Sequence, residues 1–326
     1  MKKNFFVTAV LTLLIPLMFS GVIKAQQIQV DKKIPHYKKN GNISGNAGSI
    51  GSDTMNNLMT LWLEGFKKYY PLVNIQIEGK GSSTAPPALI AGTAQFGPMS
   101  RMMKNEEIDK FEAKYGFKPT TIRTSMDALA VFVHKDNPLK CLSLEQVDAI
   151  FSKSRKRGYK EDVTTWGQLG LKGKWKNKPV SIYGRNSASG TYGFYKEHVL
   201  KKGDFKDIVK EQPGSASVVQ GITNDMYGIG YSGIGYITSG VNALNLSKKL
   251  NGTCEDGKYE NVVTGKYPLS RYLYLNIVKN PSKKLDPLVK EFLKYVLSYE
   301  GQQIVIKDGY LPLSEKVIKE ELKKLD

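Results

Sequence analysis

A chain of 326 residues that is 40% hydrophobic and 24% charged can bury one large core or two ordinary ones, which excludes wholesale disorder. Its 48 Lys and Arg exceed its 30 Asp and Glu and leave a formal charge of +18. That excess reads as a solvated lysine-rich surface, as attraction of small anions into a cleft, or as adhesion to a polyanion or membrane. The basic runs 153–160 and 172–178 carry one aromatic each, Tyr159 and Trp175, not an interleaved stacking stripe, so no nucleic acid partner is expected.

In chain order, residues 1–25 read as an export signal. Lys2 and Lys3 form a positive start, Phe5–Phe19 is an apolar run too short for a bilayer span, and Ala25 is the expected cleavage position. No cysteine follows the run, so a lipid-modified N-terminus is not expected. Loss of Lys2, Lys3 and Lys24 lowers the charge from +18 to +15, and the mature protein is expected to be soluble and periplasmic. Residues 26–42 are polar and read as an extended arm.

From Ile43 onward, strand and helix signals alternate. Met55, Leu58, Trp62, Phe66 and Tyr69 recur at helical spacing over 53–70, with Ser52 or Asp53 as N-cap and Pro71 as the stop. "VNIQIEG" alternates Val73, Ile75 and Ile77 as a half-buried strand. A helix is expected over 85–91, a short strand over 94–97 and a helix over 106–115. "ALAVFVH", 128–134, reads as a buried strand. Further helices are expected over 144–151, 191–202 and 217–223, with strands over 180–183 and 272–278. A glycine-punctuated strand and turn fills 227–236, and helices over 287–297, 302–307 and 314–322 end the chain. The alternation argues for α/β architecture with mostly parallel sheets, and the length argues for two lobes.

Cys141 and Cys254 are the only cysteines. In an oxidising compartment an even pair suggests one disulfide. His36, His134 and His198 are scattered and read as structural, so no metal or other cofactor is expected. The phosphate-loop pattern G-x-x-x-x-G-K-[ST] is absent, and the G-x-G-x-x-G at 228–233 opens no helix, which argues against dinucleotide binding. No G-x-S-x-G elbow occurs, and a serine hydrolase lacks a positioned base.

Three junctions share one design. "SIGSDTM", "GKGSSTAPP" and "GRNSASGTYG" each bring small hydroxyl residues and backbone amides to a helix start, where unpaired N–H groups and the macrodipole favour negative charge. One loop alone is ordinary capping. Three of them, with Arg185 before one, point toward a small-anion site.

At these loops, "GSDTMNNLMTLWLEGFKKYYP", "GKGSSTAPPALIAGTAQFGPMSR", "SMDALAVFVHKDNP", "GRNSASGTYGFY" and "GIGYSGIGY" together resemble the periplasmic phosphate-binding proteins (PstS-like) that feed phosphate ABC transporters. The R-x-x-x-S-G-T element, Arg185 and then Ser189-Gly190-Thr191, carries most of the specificity. The resemblance implies a type II periplasmic binding protein fold, with two mostly parallel sheets joined by two crossing strands at 122–127 and 268–274. It implies lobe 1 at 43–124 and 272–326, with lobe 2 inserted at 125–271. By the same resemblance Thr54, the Met55 amide, Ser82, Arg185, Ser189, Gly190 and Thr191 contact phosphate, and the neighbouring Ser52 and Ser83 belong to the same loops.

Where the usual family has an aspartate that accepts the proton of bound phosphate, this chain has Ser100, followed by Arg101. A fixed carboxylate accepts from protonated phosphate and repels fully ionised sulfate. Asp53 or Asp127 is therefore a candidate replacement, and Arg101 is a candidate second charged contact, with a plain salt bridge as its alternative. The expectation is a monomeric, non-enzymatic protein that delivers phosphate to the permease subunits of a transporter. Binding of another tetrahedral oxyanion such as sulfate or molybdate is the alternative, followed by a secreted phosphatase or hydrolase and by charge-driven surface adhesion.

Overall fold

The computed structural model describes residues 28–326, so the leader read at 1–25 lies outside the described residues. Residues 28–44 form neither helix nor strand. They nevertheless bury Val30, Ile34 and Tyr37 against the first hydrophobic core, and the Tyr37 hydroxyl donates to Glu291 Oε2 at 2.8 Å. The arm is thus held down by apolar contacts that its polar average hides.

The first strand and helix pairs follow: β1 (Gly45–Ile50), α1 (Asn56–Lys67), β2 (Val73–Glu78), α2 (Ala85–Ala91), β3 (Gly97–Met99) and α3 (Asn105–Tyr115). β1 and β2 pair in parallel, as a strand-helix-strand unit requires. The strand expected at 94–97 begins at Gly97. α1 starts later than its apolar spacing suggests, because Asp53–Met55 forms a tight 3-10 turn and neither Ser52 nor Asp53 caps the helix through its side chain.

β4 (Thr120–His134) then runs 15 residues, and every residue from Asp127 to His134 is buried. Both faces are covered there, which is why 128–133 reads as an unbroken apolar run. β5 (Cys141–Ser143) and α4 (Leu144–Phe151) follow. α4 opens with a reciprocal cap, in which Ser143 Oγ accepts from the Gln146 amide and Gln146 Oε1 accepts from the Ser143 amide. The chain continues through β6 (Ser181–Arg185), α5 (Gly190–His198), β7 (Lys210–Gln212), α6 (Ser215–Thr223), β8 (Gly228–Gly233), β9 (Val241–Ala243), β10 (Asn245–Ser247) and α7 (Tyr259–Val263). It returns along β11 (Ser270–Ile277) and closes with α8 (Pro287–Val296), α9 (Tyr299–Lys307) and α10 (Glu315–Lys323).

Two large cores divide the molecule into lobes. One gathers Trp62, Phe66 and Phe96 from the first part of the chain with Leu273, Phe292 and Ile318 from the last. The other gathers Phe151, Trp166, Tyr195 and Tyr231 from the middle. β4 carries the chain out and β11 brings it back, so the two pair antiparallel from Thr120↔Ile277 to Ala128↔Ser270.

The sheet order is β3-β11-β4-β8-β6-β7, with β9 also on β4. This corrects the expectation of mostly parallel sheets. β6 is parallel to β7 and β8, but β8 and β9 run antiparallel to β4, and β3 runs antiparallel to β11. Outgoing and returning crossings must oppose each other, and each imposes its direction on the lobe it enters.

Cys141 and Cys254 form a disulfide with Cα atoms 6.2 Å apart. Among the described residues, no helix is long and apolar enough to cross a membrane, and no group of three or more His, Cys, Asp or Glu is placed to hold a metal.

Candidate functional site

The three hydroxyl loops meet where the lobes face each other. After β1, Thr54 is buried, and its Oγ1 lies 2.9 Å from Thr191 Oγ1 across the cleft. Its carbonyl accepts from the Tyr310 hydroxyl at 2.8 Å, and the neighbouring Asp53 carbonyl accepts from Tyr236 at 3.1 Å. Ser52 donates its amide to the Pro98 carbonyl at 2.7 Å, and its Oγ is buried without a partner. The Met55 side chain is buried in the core, and its amide donates to the Ser52 carbonyl at 3.2 Å. That amide closes the 3-10 turn, a departure from the role that the resemblance implies for it.

After β2, Gly81 adopts φ +109°, in the left-handed region that favours glycine. A Cβ there would lie 2.5 Å from the Ala188 carbonyl of the opposite lobe, so the close approach also needs glycine. Ser82 is buried, and its Oγ accepts from the Ser100 amide at 3.0 Å and lies 3.3 Å from Ser100 Oγ. Ser100 Oγ in turn lies 3.4 Å from Thr191 Oγ1. Ser83 takes a different part. Its amide donates to the Ala188 carbonyl at 3.1 Å, while its hydroxyl accepts from Arg101.

After β6, Ser189 caps α5, its Oγ accepting from the Thr191 and Tyr192 amides at 3.1 and 3.3 Å. The Gly190 amide occupies the first helical position, where no intrahelical acceptor exists. A Cβ on Gly190 would lie 2.1 Å from Ser82 Oγ, so no other residue permits this contact between lobes.

Arg185 is 1% exposed. Its Nη1 donates to Ser215 Oγ at 2.7 Å, and its Nη2 donates to the Pro213 carbonyl at 3.2 Å and lies 3.2 Å from Asp53 Oδ2. Its Nε is buried without a partner. Burial lowers this guanidinium from its ordinary pKa, with Asp53 opposing the shift.

Arg101 does not join the cluster. Its two Nη atoms donate to Glu107 at 2.8 and 2.7 Å, and Nη1 also donates to the Met102 carbonyl. Burial alone raises the Glu107 carboxyl, but Arg101 and the Lys104 amide overcome it and hold the group below its ordinary pKa. With an acid six residues away at the start of α3, the salt bridge wins over an anion contact. Arg101 instead lines a cleft of ≈ 830 Å³ with Lys104, Phe194, His198, Arg271 and Tyr274.

The second guanidinium of the cluster is Arg271, absent from the sequence expectations. Its Nη1 donates to the Ser100 carbonyl at 3.0 Å and its Nη2 to Thr191 Oγ1 at 3.1 Å. Its Nε and Nη2 also bond Asp127 Oδ2 at 2.9 and 2.7 Å. A signal for it existed. In β11 the buried positions alternate as Arg271, Leu273 and Leu275, so a charge occupies the inward phase of a strand.

Both candidate replacement acids serve arginines. Asp127 accepts from the Ile234 amide through Oδ1 and from Arg271 through Oδ2. Asp53 Oδ2 accepts from the Ser215 amide at 2.8 Å and faces Arg185. The site therefore presents hydroxyls from both lobes, a helix start and two arginines already paired with carboxylates. Among the described residues no histidine bonds to these hydroxyls, so the arrangement suits holding an oxyanion rather than generating a nucleophile.

A family model for a PBP superfamily domain matches residues 41–300. The phosphate-binding protein PstS of Pseudomonas aeruginosa is 56% identical over 296 residues, covering 91% of this chain and 92% of its own. That of Staphylococcus haemolyticus is 31% identical over 287 residues, covering 87% and 86%. A Clostridium perfringens protein, described as a phosphate ABC transporter substrate-binding protein and solved with bound phosphate, superposes with a TM-score of 0.70 at 25% identity, covering 83% of this chain and 100% of its own. An ABC-type phosphate transport receptor from Vibrio cholerae shares the fold at a TM-score of 0.62 and 20% identity, covering 82% and 100%.

Proposed function

This chain belongs to the PstS-like phosphate-binding proteins of the PBP superfamily, and from that premise we propose that it captures inorganic phosphate between its lobes and hands it to a membrane ABC transporter. It is a binding component, not an enzyme. The observation that carries the reading is the convergence of Thr54, Ser82, Ser100 and Thr191 hydroxyls from facing loops, beside a buried Arg185 whose Nε has no partner. A buried donor without an acceptor is costly, and an anion oxygen is the partner that Arg185 lacks.

Phosphate is held by Ser52, Thr54, Ser82, Ser100, Arg185, Ser189, Gly190, Thr191 and Arg271. Their donors replace its hydration shell, and the α5 N-terminus adds favourable dipole. Lobe closure excludes water and strengthens each contact. Since no free carboxylate stands at Ser100, the proton of phosphate is accepted by a hydroxyl or carbonyl oxygen of the cluster, whose lone pairs permit it. The division into 43–124 with 272–326 and 125–271 describes the two closing bodies. The protein works as an exported monomer, cleaved near Ala25, with no nucleic acid partner.

The alternative ligand, sulfate, is separated by competition. With the chain loaded with radiolabelled phosphate, excess sulfate is expected to leave most label bound, because a carbonyl oxygen facing the ligand can only accept and sulfate offers it no proton, whereas a hydroxyl can turn to donate to either anion. Displacement by equimolar sulfate would contradict the phosphate assignment.

A further inference from the structure

Asp53 holds a position that the capture reading does not use. It sits in the first hydroxyl loop, on the lobe of Trp62 and Phe292, yet both contacts of its Oδ2 lie in the other lobe. One is the Ser215 amide at 2.8 Å, in the first turn of α6. The other is Arg185 Nη2 at 3.2 Å.

α6 has no cap of its own. Its N-cap residue is Gly214, with φ −135° and ψ 166°, which supplies no side-chain acceptor. A Cβ on Gly214 would lie 3.0 Å from Asp53 Oδ1, so the missing side chain makes room for the carboxylate of the facing lobe. Asp53 therefore caps α6 across the cleft. Such a cap contributes roughly 1 kcal/mol to a helix when supplied locally. Here it exists only while the lobes are together.

The same carboxylate fixes the anion-site arginine. Arg185 Nη1 donates to Ser215 Oγ at 2.7 Å, so Asp53, Arg185 and Ser215 form a closed triangle with one corner on the opposite lobe. The Tyr236 hydroxyl of the second lobe adds a bond to the Asp53 carbonyl. Among the described residues, Asp53–Arg185 is the one ion pair that joins the two large cores' lobes; Asp127–Arg271 lies within the crossing strands. Opening the cleft leaves α6 uncapped and returns Arg185 to water without its counter-charge.

We propose that Asp53 is a closure latch: a positioning residue that locks the lobes by capping α6 in trans and aiming Arg185, not the acceptor of the anion's proton. The kinetic part rests on the phosphate-capture reading, while the conformational part does not.

The test uses the mature chain, Asp53→Ala, Asp53→Asn and the double variant Asp53→Ala with Gly214→Ser, which gives α6 a local cap. Stopped-flow binding of inorganic phosphate is expected to show dissociation about tenfold faster in Asp53→Ala, with association changed far less, as for loss of the counter-charge of a buried arginine. Asp53→Asn, whose amide oxygen still accepts from Ser215, falls between. The double variant recovers melting temperature but not slow dissociation, and the preference for phosphate over sulfate is unchanged throughout. In X-ray scattering without ligand, Asp53→Ala is more extended than wild type.

Wild-type dissociation in Asp53→Ala would overturn the proposal. So would recovery of slow dissociation in the double variant, which would reduce Asp53 to a helix cap, or loss of sulfate discrimination in Asp53→Asn, which would make it the proton acceptor. Failure of the wild-type chain to bind phosphate would strike the capture reading instead, and the ligand-free scattering would still decide the latch.

Discussion

Two arginine–carboxylate pairs flank the hydroxyl cluster, and they differ in what each is fastened to. Arg271 and Asp127 face each other across β11 and β4, the two crossings, and both side chains are almost wholly buried. Arg185 and Asp53 face each other across the cleft, and Asp53 is 24% exposed. The first pair is part of the frame and persists whichever way the lobes stand. The second exists only on closure. The same chemistry serves as a fixed post in one place and as a fastening in the other.

Breaking the fixed pair is expected to have the larger effect on stability. Asp127→Ala strands a buried guanidinium and the Ile234 amide, and a loss of about 3–5 kcal/mol is expected in denaturant unfolding. Asp53→Ala affects a partly exposed pair and is expected to cost at most about 1 kcal/mol in the same experiment. Equal losses would erase the distinction between post and fastening.

A third carboxylate sharpens the contrast because it has no cation. The Asp308 carboxylate follows α9 in lobe 1, with only the Asn57 side-chain amide as a partner and Oδ2 unbonded. Burial pushes its pKa up to about 6, with Asn57 opposing the shift. A raised acid pKa favours the folded state at low pH, and that advantage is lost as pH rises from the ordinary carboxylate range through about 6. Asp308→Asn is therefore expected to stabilise the protein by about 1 kcal/mol at pH 8, after allowance for solvent screening, and to change nothing at pH 4. Thermal melts at the two pH values measure it, and equal effects at both would show that ionisation is not the cause.

Much of the fold was legible from local chemistry. The α2 bounds follow from its prolines and Gly92, and α4 announces itself through Ser143 and Gln146. The loops around Ser82 and Arg185 could be matched residue by residue, because a hydroxyl-rich helix start is a local pattern. Failures came where a distant partner decides. Arg271 reaches Ser100 from 171 residues away, whereas Arg101 is taken nearby, by Glu107 six residues on at the start of α3. The local pattern offers Ser52 or Asp53 as the cap of its own helix, but neither caps it, and the Asp53 carboxylate accepts from the Ser215 amide of α6 in the other lobe. The crossing strands overrode the parallel expectation for the same reason, since their direction is set by which lobe the chain is leaving.

Calorimetric titration of the mature chain with inorganic phosphate, repeated on Arg185→Ala, tests phosphate capture by this cluster most directly. One phosphate per chain is expected, with binding weakened at least about 100-fold in Arg185→Ala, as for truncation of a buried, hydrogen-bonded charge. Arg101→Ala, the control outside the cluster, should titrate like wild type. Binding that survives Arg185→Ala unchanged, or no binding by the wild-type chain, would contradict the account.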